Sequence, residues 1–421
     1  MRRCFSPVGM LIAGAILCLM ASTAPAARSA GRTMFSVSSF GAAGNGIADD
    51  SEIDGDVLAP PGMGYWPKAR RPLQWLNFKW LDGFTIQGTG TVDGQSTLVR
   101  SVSPANVSQH WYVSGVKPTL IRFYSSFNVS VRNIRITNSP QCHLKFDSSG
   151  SIRVKNITIS SPGDSLNTDG IHLQNTRDVE IRSSSIGCGK QNYSTHRILE
   201  FRRAFATGMS EQHGHSAGDD CISIQTGCSN VHMKNINCNP GHGISLGGLG
   251  KDNSLACVSD VLAEHINVEN ALYGVRIKTW QGTVRNVTFS NVRVANVATP
   301  IAIDQFYCDG GGATGVAAAR CGNRTDAVEI TGVAYRRVVG TYTYQPVHLA
   351  CSDARPCTGV SMVDVRLSPA SEPSAAAGLR QPLCWKSYGE AMGMIEPIGI
   401  ACMERSNGLV MPLNKPFNYT C

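Results

Sequence analysis

Helical periodicity is scarce in this 421-residue chain. Few windows place apolar residues at three- and four-residue spacing, so the chain is expected to be all-β. Hairpin signals such as Asn-Gly are also few, which counts against a sandwich built from meanders. Charge is sparse, with Asp, Glu, Lys and Arg making 16% of the residues. No block of Lys and Arg is interleaved with aromatics, so nucleic acid is not an expected partner. Beyond the N-terminus no apolar run is long enough to span a bilayer, so no membrane role is expected. Glycine is abundant, at 43 residues, and β-branched residues dominate the apolar runs. The hydrophobic fraction of 42% permits a sizeable core.

The first residues read as a secretory signal. Arg2-Arg3 form a charged start, Val8 to Ala21 an apolar centre and Ala24-Pro25-Ala26 a cleavage site. A signal peptide over 1–26 places the mature protein outside the cell. Cleavage removes Cys4 and Cys18 of the 15 cysteines. In an oxidising compartment most of the remainder should pair, with at least one thiol left over. Seven sequons (Asn106, Asn128, Asn156, Asn192, Asn286, Asn323, Asn418) fit a secreted glycoprotein. A net charge of +8, less Arg2 and Arg3, suits attraction to an anionic matrix polymer.

A phrase recurs through the middle of the chain. Phe127 to Ile136, Gly150 to Ile159, Arg177 to Ile181, Ser229 to Ile236, Val261 to Val268 and Thr283 to Val294 all carry it. Each has a polar turn, alternating apolar residues, often an Asn, and another short strand. Starts recur about every 23 to 30 residues, a solenoid period. Period-two alternation makes strands with one inward face, and stacked units bury a continuous column. The expected fold is a right-handed parallel β-helix, one domain over 33–421. A sandwich with similar strands is the alternative.

Four polar motifs fall in order on this frame: Asn167-Thr168-Asp169, Gly218-Asp219-Asp220, Gly241-His242-Gly243 and Arg276-Ile277-Lys278. Singly they read as turns, an acidic pair or a solvated strand face. Each nevertheless sits at a similar phase of its rung. Equal phase on stacked rungs makes one stripe with neighbours about 4.8 Å apart. Carboxylates suit acid/base work on a glycosidic bond, and fixed cations suit an anionic sugar. The acids lack a Cys/His set at ligand spacing, so neither metal nor cofactor is expected.

Together, in this order, the motifs resemble the polygalacturonases, pectin-degrading glycoside hydrolases. The phrases Gly218 to Ile224 and Gly241 to Gly247 are similar to the plant members. The resemblance implies inverting hydrolysis of α-1,4-linked galacturonan. It implies that Asp219 is the general acid and that Asp169 and Asp220 activate water on the opposite face. Acid and base would then stand roughly 6.5–9.5 Å apart. It implies that His242 tunes the acid and that Arg276 and Lys278 clamp a galacturonate carboxylate. Asn167 and Tyr307 join the substrate contacts. Cys221 and Cys238 resemble a family disulfide, while Cys351, Cys357, Cys384, Cys402 and Cys421 are expected to close local loops. The implied protein is a monomer in the cell wall, with pectin or polygalacturonate as partner. Two alternatives stay open: a hydrolase of another pectic chain such as rhamnogalacturonan, and a non-catalytic pectin-binding protein.

The chain departs from the family twice. Near 51–53 it jumps from Asp49-Asp50-Ser51 to Ile53-Asp54-Gly55, where relatives carry a capping helix and a first strand pair. Loss of the cap predicts poor folding. Between Cys188-Gly189 and Asp219 lies an insertion, 190–218, without strand alternation. Val179 and Val231 are 52 positions apart, two periods rather than one. Gly189-Lys190 can be encoded by a splice-donor sequence and Ala217-Gly218 by an acceptor. A translated intron of 29 residues, 190–218, is therefore expected here, and its removal restores the period.

Overall fold

The computed structural model describes residues 49–60, 74–96, 118–162, 165, 168–189, 218–249, 256–279, 282–306, 328–370 and 379–398. These residues form two parallel sheets of 15 and 10 strands. The ten-stranded sheet runs in chain order. It begins at Gln74–Lys79 and passes Ile171–Gln174, Ile222–Ile224, Ile244–Leu249 and Tyr273–Thr279 on its way to Leu383–Trp385. Between successive strands the chain visits the other sheet once, as in Arg177–Gly187, Cys228–Cys238, Ala256–Glu269 and Gly282–Val297. This is the expected right-handed parallel β-helix. No helix occurs among the described residues, and none could therefore cross a membrane.

Alternation drives the coil. Gly150–Lys155 alternates strictly between buried and exposed. Its inward Ile152 and Val154 pair with Val179 and Ile181 on the next rung. Those pair in turn with Val231 and Met233, then with Val261 and Ala263. Like stacks on like, so Phe78, Phe123 and Phe146 form an aromatic column with centroids 5.0 and 5.3 Å apart. One contiguous core runs from Ile53 to Leu367.

The recurring Asn has a backbone cause. The coil turns corners through single residues in the left-handed region, where asparagine is among the least strained L-residues. Asn128, Asn133, Asn156, Asn230, Asn235, Asn286 and Asn291 all have φ between 52° and 62°. Corner side chains also bond along the axis. Asn156 donates to Asn133 at 3.0 Å, Asn230 to Asp178 at 2.8 Å and Asn286 to Asp260 at 2.6 Å. Three sequon asparagines, Asn128, Asn156 and Asn286, thus use their amide nitrogens in the scaffold.

The cysteines follow the expectation in part. Cys221–Cys238 is a disulfide, and Cys351–Cys357 closes a short loop. Cys257 and Cys384 are also bonded. Among the described residues three thiols are free, where at least one is expected: Cys142, Cys188 and Cys228, all buried. Each faces the core, where a thiol packs as a small hydrophobe.

The interrupted rung keeps its frame. Val179 pairs with Val231 and Ile171 with Ile222, although 52 residues separate the first pair. Residues 190–217 lie outside the described residues, but their flanks do not. Gly189 and Gly218 form an antiparallel bridge, and the Asp219 amide donates to the Cys188 carbonyl at 2.8 Å. Chain leaves and rejoins the coil at one point. Gly218 has φ +96°, and a Cβ there would stand 2.1 Å from the Cys188 oxygen. The signal peptide also lies outside the described residues, whereas the expected jump near 51–53 falls where the strand Asp49–Glu52 ends, before Asp56–Leu58. The first described rung begins at Asp49–Glu52, paired with Phe84–Gln87.

Candidate active site

Register sharpens the stripe. Ile171, Ile222, Ile244 and Val275 are successive partners across the ten-stranded sheet. Asp169, Asp220 and His242 each lie two residues before their partner in this row, so they share one phase. Arg276 and Lys278 lie further along their strand and reach back. The bends that carry the acids are bonded rung to rung. Gly170 N–H donates to the Asp220 carbonyl and Cys221 N–H to the Gly243 carbonyl, at 2.9 and 2.8 Å. His242 N–H donates to the Asp219 carbonyl at 2.9 Å. Gly243 has φ +72°, and a Cβ would meet the Gly274 oxygen at 2.2 Å. The glycines around His242 are thus required by the close stacking of bends.

Asp220 is the buried member of the acid pair. Its side chain is 2% exposed, against 15% for Asp219. Arg276 Nη2 lies 3.0 Å from its Oδ1 and Lys278 Nζ 3.3 Å from its Oδ2. Ser245 donates to Oδ1 at 2.6 Å and itself accepts from Arg276 Nε at 3.2 Å. Burial alone would raise the Asp220 pKa, but Lys278 and then Arg276 outweigh it and hold it well below the usual range. Lys278 reaches across Gly247, where a Cβ would fall 2.3 Å from the lysine Cε. Arg276 also stacks on Tyr273, 4.1 Å from the ring centre.

Asp169 behaves oppositely. Its Oδ2 is 2.7 Å from His172 Nδ1. Burial and the charge of Asp219 raise its pKa to about 6, with the His172 hydrogen bond opposing. His143 fixes the backbone: its Nδ1 is 2.8 Å from the Asp169 carbonyl and its Nε2 2.7 Å from Ser161 Oγ. Burial lowers the His143 pKa to about 4, so it is neutral and bonds through both nitrogens. Asp219 accepts from the Asp220 N–H at 2.9 Å and faces His242 Nδ1 at 3.5 Å.

The structure therefore gathers Asp169, Asp219, Asp220, His242, Arg276 and Lys278. Asn167 and Tyr307 lie outside the described residues. Four contributors had no signal in the motifs: Ser245, His172, Gly247 and Tyr273. The outward register His172–Ser223–Ser245–Arg276 would have revealed two of them. Ligand atoms of Asp219, Asp220 and His242 come within 4.8 Å of one another, a grouping that sequence spacing concealed. Two fixed cations already face Asp220, so added positive charge there is repelled.

A parallel solenoid bearing clustered carboxylates, an imidazole and two cations on one outward stripe defines a polysaccharide-hydrolase scaffold. The family described as Glycosyl hydrolases family 28 matches residues 53–201 and 209–383, and the chain belongs to it. A probable polygalacturonase of Arabidopsis thaliana is 31% identical over 360 residues, 82% of this chain and 69% of that protein. A polygalacturonase of Chamaecyparis obtusa is 34% identical over 333 residues, 75% of this chain and 55% of that protein. The chain thus spans little more than half of some plant relatives. Among solved structures, the polygalacturonase of Erwinia carotovora ssp. carotovora superposes with a TM-score of 0.57 at 18% identity, covering 82% of this chain and 83% of that one. Endopolygalacturonase I of Stereum purpureum, complexed with two galacturonate, gives 0.51 at 17%, covering 83% and 95%. At these identities the structures speak for the fold. Within the family, the chain stands with the plant polygalacturonases.

Proposed function

We propose that this protein hydrolyses α-1,4-galacturonosyl linkages of pectin with inversion, as a secreted monomer of the cell wall. The observation that carries the reading is the division of labour among three clustered carboxylates. Asp220 is permanently ionised by Arg276 and Lys278. Burial and the charge of Asp219 raise the Asp169 pKa to about 6. Asp219, the more exposed acid of its motif, is the proton donor to the leaving oxygen. Asp169 and Asp220 then orient and deprotonate water on the opposite face. The positive edge left by Arg276 and Lys278 favours a galacturonate carboxylate.

A pH profile follows from this. As a base, Asp169 works in its ionised form. Its raised pKa keeps Asp169 protonated below about 6 and ionised above. Hence kcat/KM for short oligogalacturonides is expected to rise as pH rises through about 6. His172 lowers the Asp169 pKa, so His172→Ala should move this limb to higher pH. An unmoved limb would remove His172 from the charge balance.

Reducing-end release tests the function directly. Polygalacturonate and rhamnogalacturonan are offered to the chain as it stands and to a version lacking 190–218. Polygalacturonate alone should be cut, and the shortened chain should be at least as active, since Gly189 already meets Gly218. No turnover by either version, with polymer binding kept, would leave a non-catalytic pectin-binding protein. Loss of fold on shortening would make 190–218 a genuine loop.

A further inference from the structure

A second concentration of positive charge lies away from the catalytic stripe. At the bend of the fifteen-stranded sheet a groove of about 700 Å3 is lined by His265, Arg293, Arg337 and Arg366 together with Asn267 and Asn291. No Asp or Glu lines it. Some cations elsewhere are matched, as in Arg182–Glu180, Lys234–Glu264 and Arg122–Asp147. Among the described residues these three arginines have no carboxylate partner within ion-pair distance. Glu396 faces Arg366 in register, and the corner acid Asp364 accepts from the Met394 N–H at 3.1 Å.

Register sets the cations in a row. Asn267 pairs with Arg293, Arg293 with Val339 and Val339 with Arg366. Arg293 and Arg366 thus occupy one column two rungs apart, about 9.6 Å at the usual strand spacing. Arg337 stands at the corner of the intervening rung. The row runs along the solenoid axis.

Backbone strain marks the same place. Corners at Asn133, Asn156, Asn235 and Asn291, the last two also lining the groove, carry asparagine in the left-handed region. Two further corners of the groove carry His265 at φ 56° and Arg337 at φ 52°. A long cationic side chain has no conformational reason to occupy this position. Its presence in a groove without acids points to a use for the charge.

We infer that this groove is a second, non-catalytic binding site for a linear carboxylate-bearing polysaccharide. The inference rests on the galacturonan reading of the active site, because the same polymer would occupy both. A row of guanidiniums matches a chain that repeats its charge, where a single small anion needs only one. Guanidinium donors bind carboxylates in bidentate fashion, and the asparagine amides can meet sugar hydroxyls. The catalytic stripe is on the ten-stranded sheet and the groove on the fifteen-stranded one. Both can therefore engage at once, and the groove holds the enzyme on its polymer between cuts by raising the local concentration of chain.

The test is electrophoretic retardation in gels containing polygalacturonate. Asp219→Asn serves as background to prevent cleavage. Adding Arg293→Gln, Arg337→Asn and Arg366→Gln keeps every backbone conformation accessible, since asparagine suits the Arg337 corner. Retention should weaken about tenfold, and the parent's retention should fall with salt. In the otherwise active chain the triple variant should cut short oligogalacturonides at the parental rate, which also reports an intact fold. Arg293→Lys with Arg366→Lys should keep most of the retention. Undiminished retention of the triple variant, beside a parent that cuts oligogalacturonides, overturns the groove and leaves the enzyme reading standing. Equal retention by fully methyl-esterified pectin also overturns it, because no carboxylate would be read. A parent that cuts nothing, yet loses retention in the triple variant, supports the groove and overturns the enzyme reading.

Discussion

Asp219→Asn is expected to lower kcat on polygalacturonate about a thousandfold, with KM and binding to the polymer close to parental. The substitution removes one proton and little else. Asparagine Oδ1 can still accept from the Asp220 N–H, the contact Asp219 makes at 2.9 Å. The side chain is 15% exposed, so the amide nitrogen reaches water and no buried donor is stranded. The fold should therefore melt as before. Asp220→Asn differs in kind. It places an amide against Arg276 and Lys278, whose charges hold the Asp220 carboxyl well below its usual pKa. That variant should lose stability as well as rate. Initial rates on polygalacturonate and a thermal melt separate the two. If Asp219→Asn kept activity within tenfold of the parent, Asp219 would not be the proton donor, and Asp169, with its pKa raised to about 6, would take its place.

The fold was legible because its two signals are local. Alternation in phrases such as Gly150 to Lys155 reports an inward face, and recurrence reports stacking. Even the corner asparagines are visible as a repeated letter, although only φ explains them. The site was legible as motifs and opaque as a network. Ser245 bonds Asp220 from 25 positions away, and Arg276 does so from 56. Such contacts need the register of rungs, which a motif does not contain. Gly247 is similar: its lack of a side chain matters only because Lys278 crosses it from the next rung. Counting cysteines predicts a leftover thiol but not which residues stay free. Cys142, Cys188 and Cys228 fill buried positions as free thiols.

Arg276→Met carries the largest expected effect on stability. Arg276 is 2% exposed and binds Asp220, Ser245 and the Tyr273 ring. Removing it strands a buried carboxylate with Lys278 as its remaining close cation, a change that costs about 3–5 kcal/mol. The Asp220 pKa must then rise, because Arg276 is one of the charges that lowers it. Arg276→Lys keeps charge but loses the fork that serves Asp220 and Ser245 together, so it should lie between parent and Arg276→Met. The decisive comparison is the double variant Asp220→Asn with Arg276→Met. If the pair exists to stabilise the coil, the double variant is the least stable of the set. If it exists for chemistry, removing the stranded charge recovers stability, and the double variant melts above Arg276→Met while remaining inactive. We expect the second outcome. A buried ion pair seldom outperforms well-packed apolar groups in stability. This one is built from residues drawn from three successive rungs, beside the carboxylate that must give up its proton. Urea melts of the four chains, closed as a double-mutant cycle, measure the coupling directly.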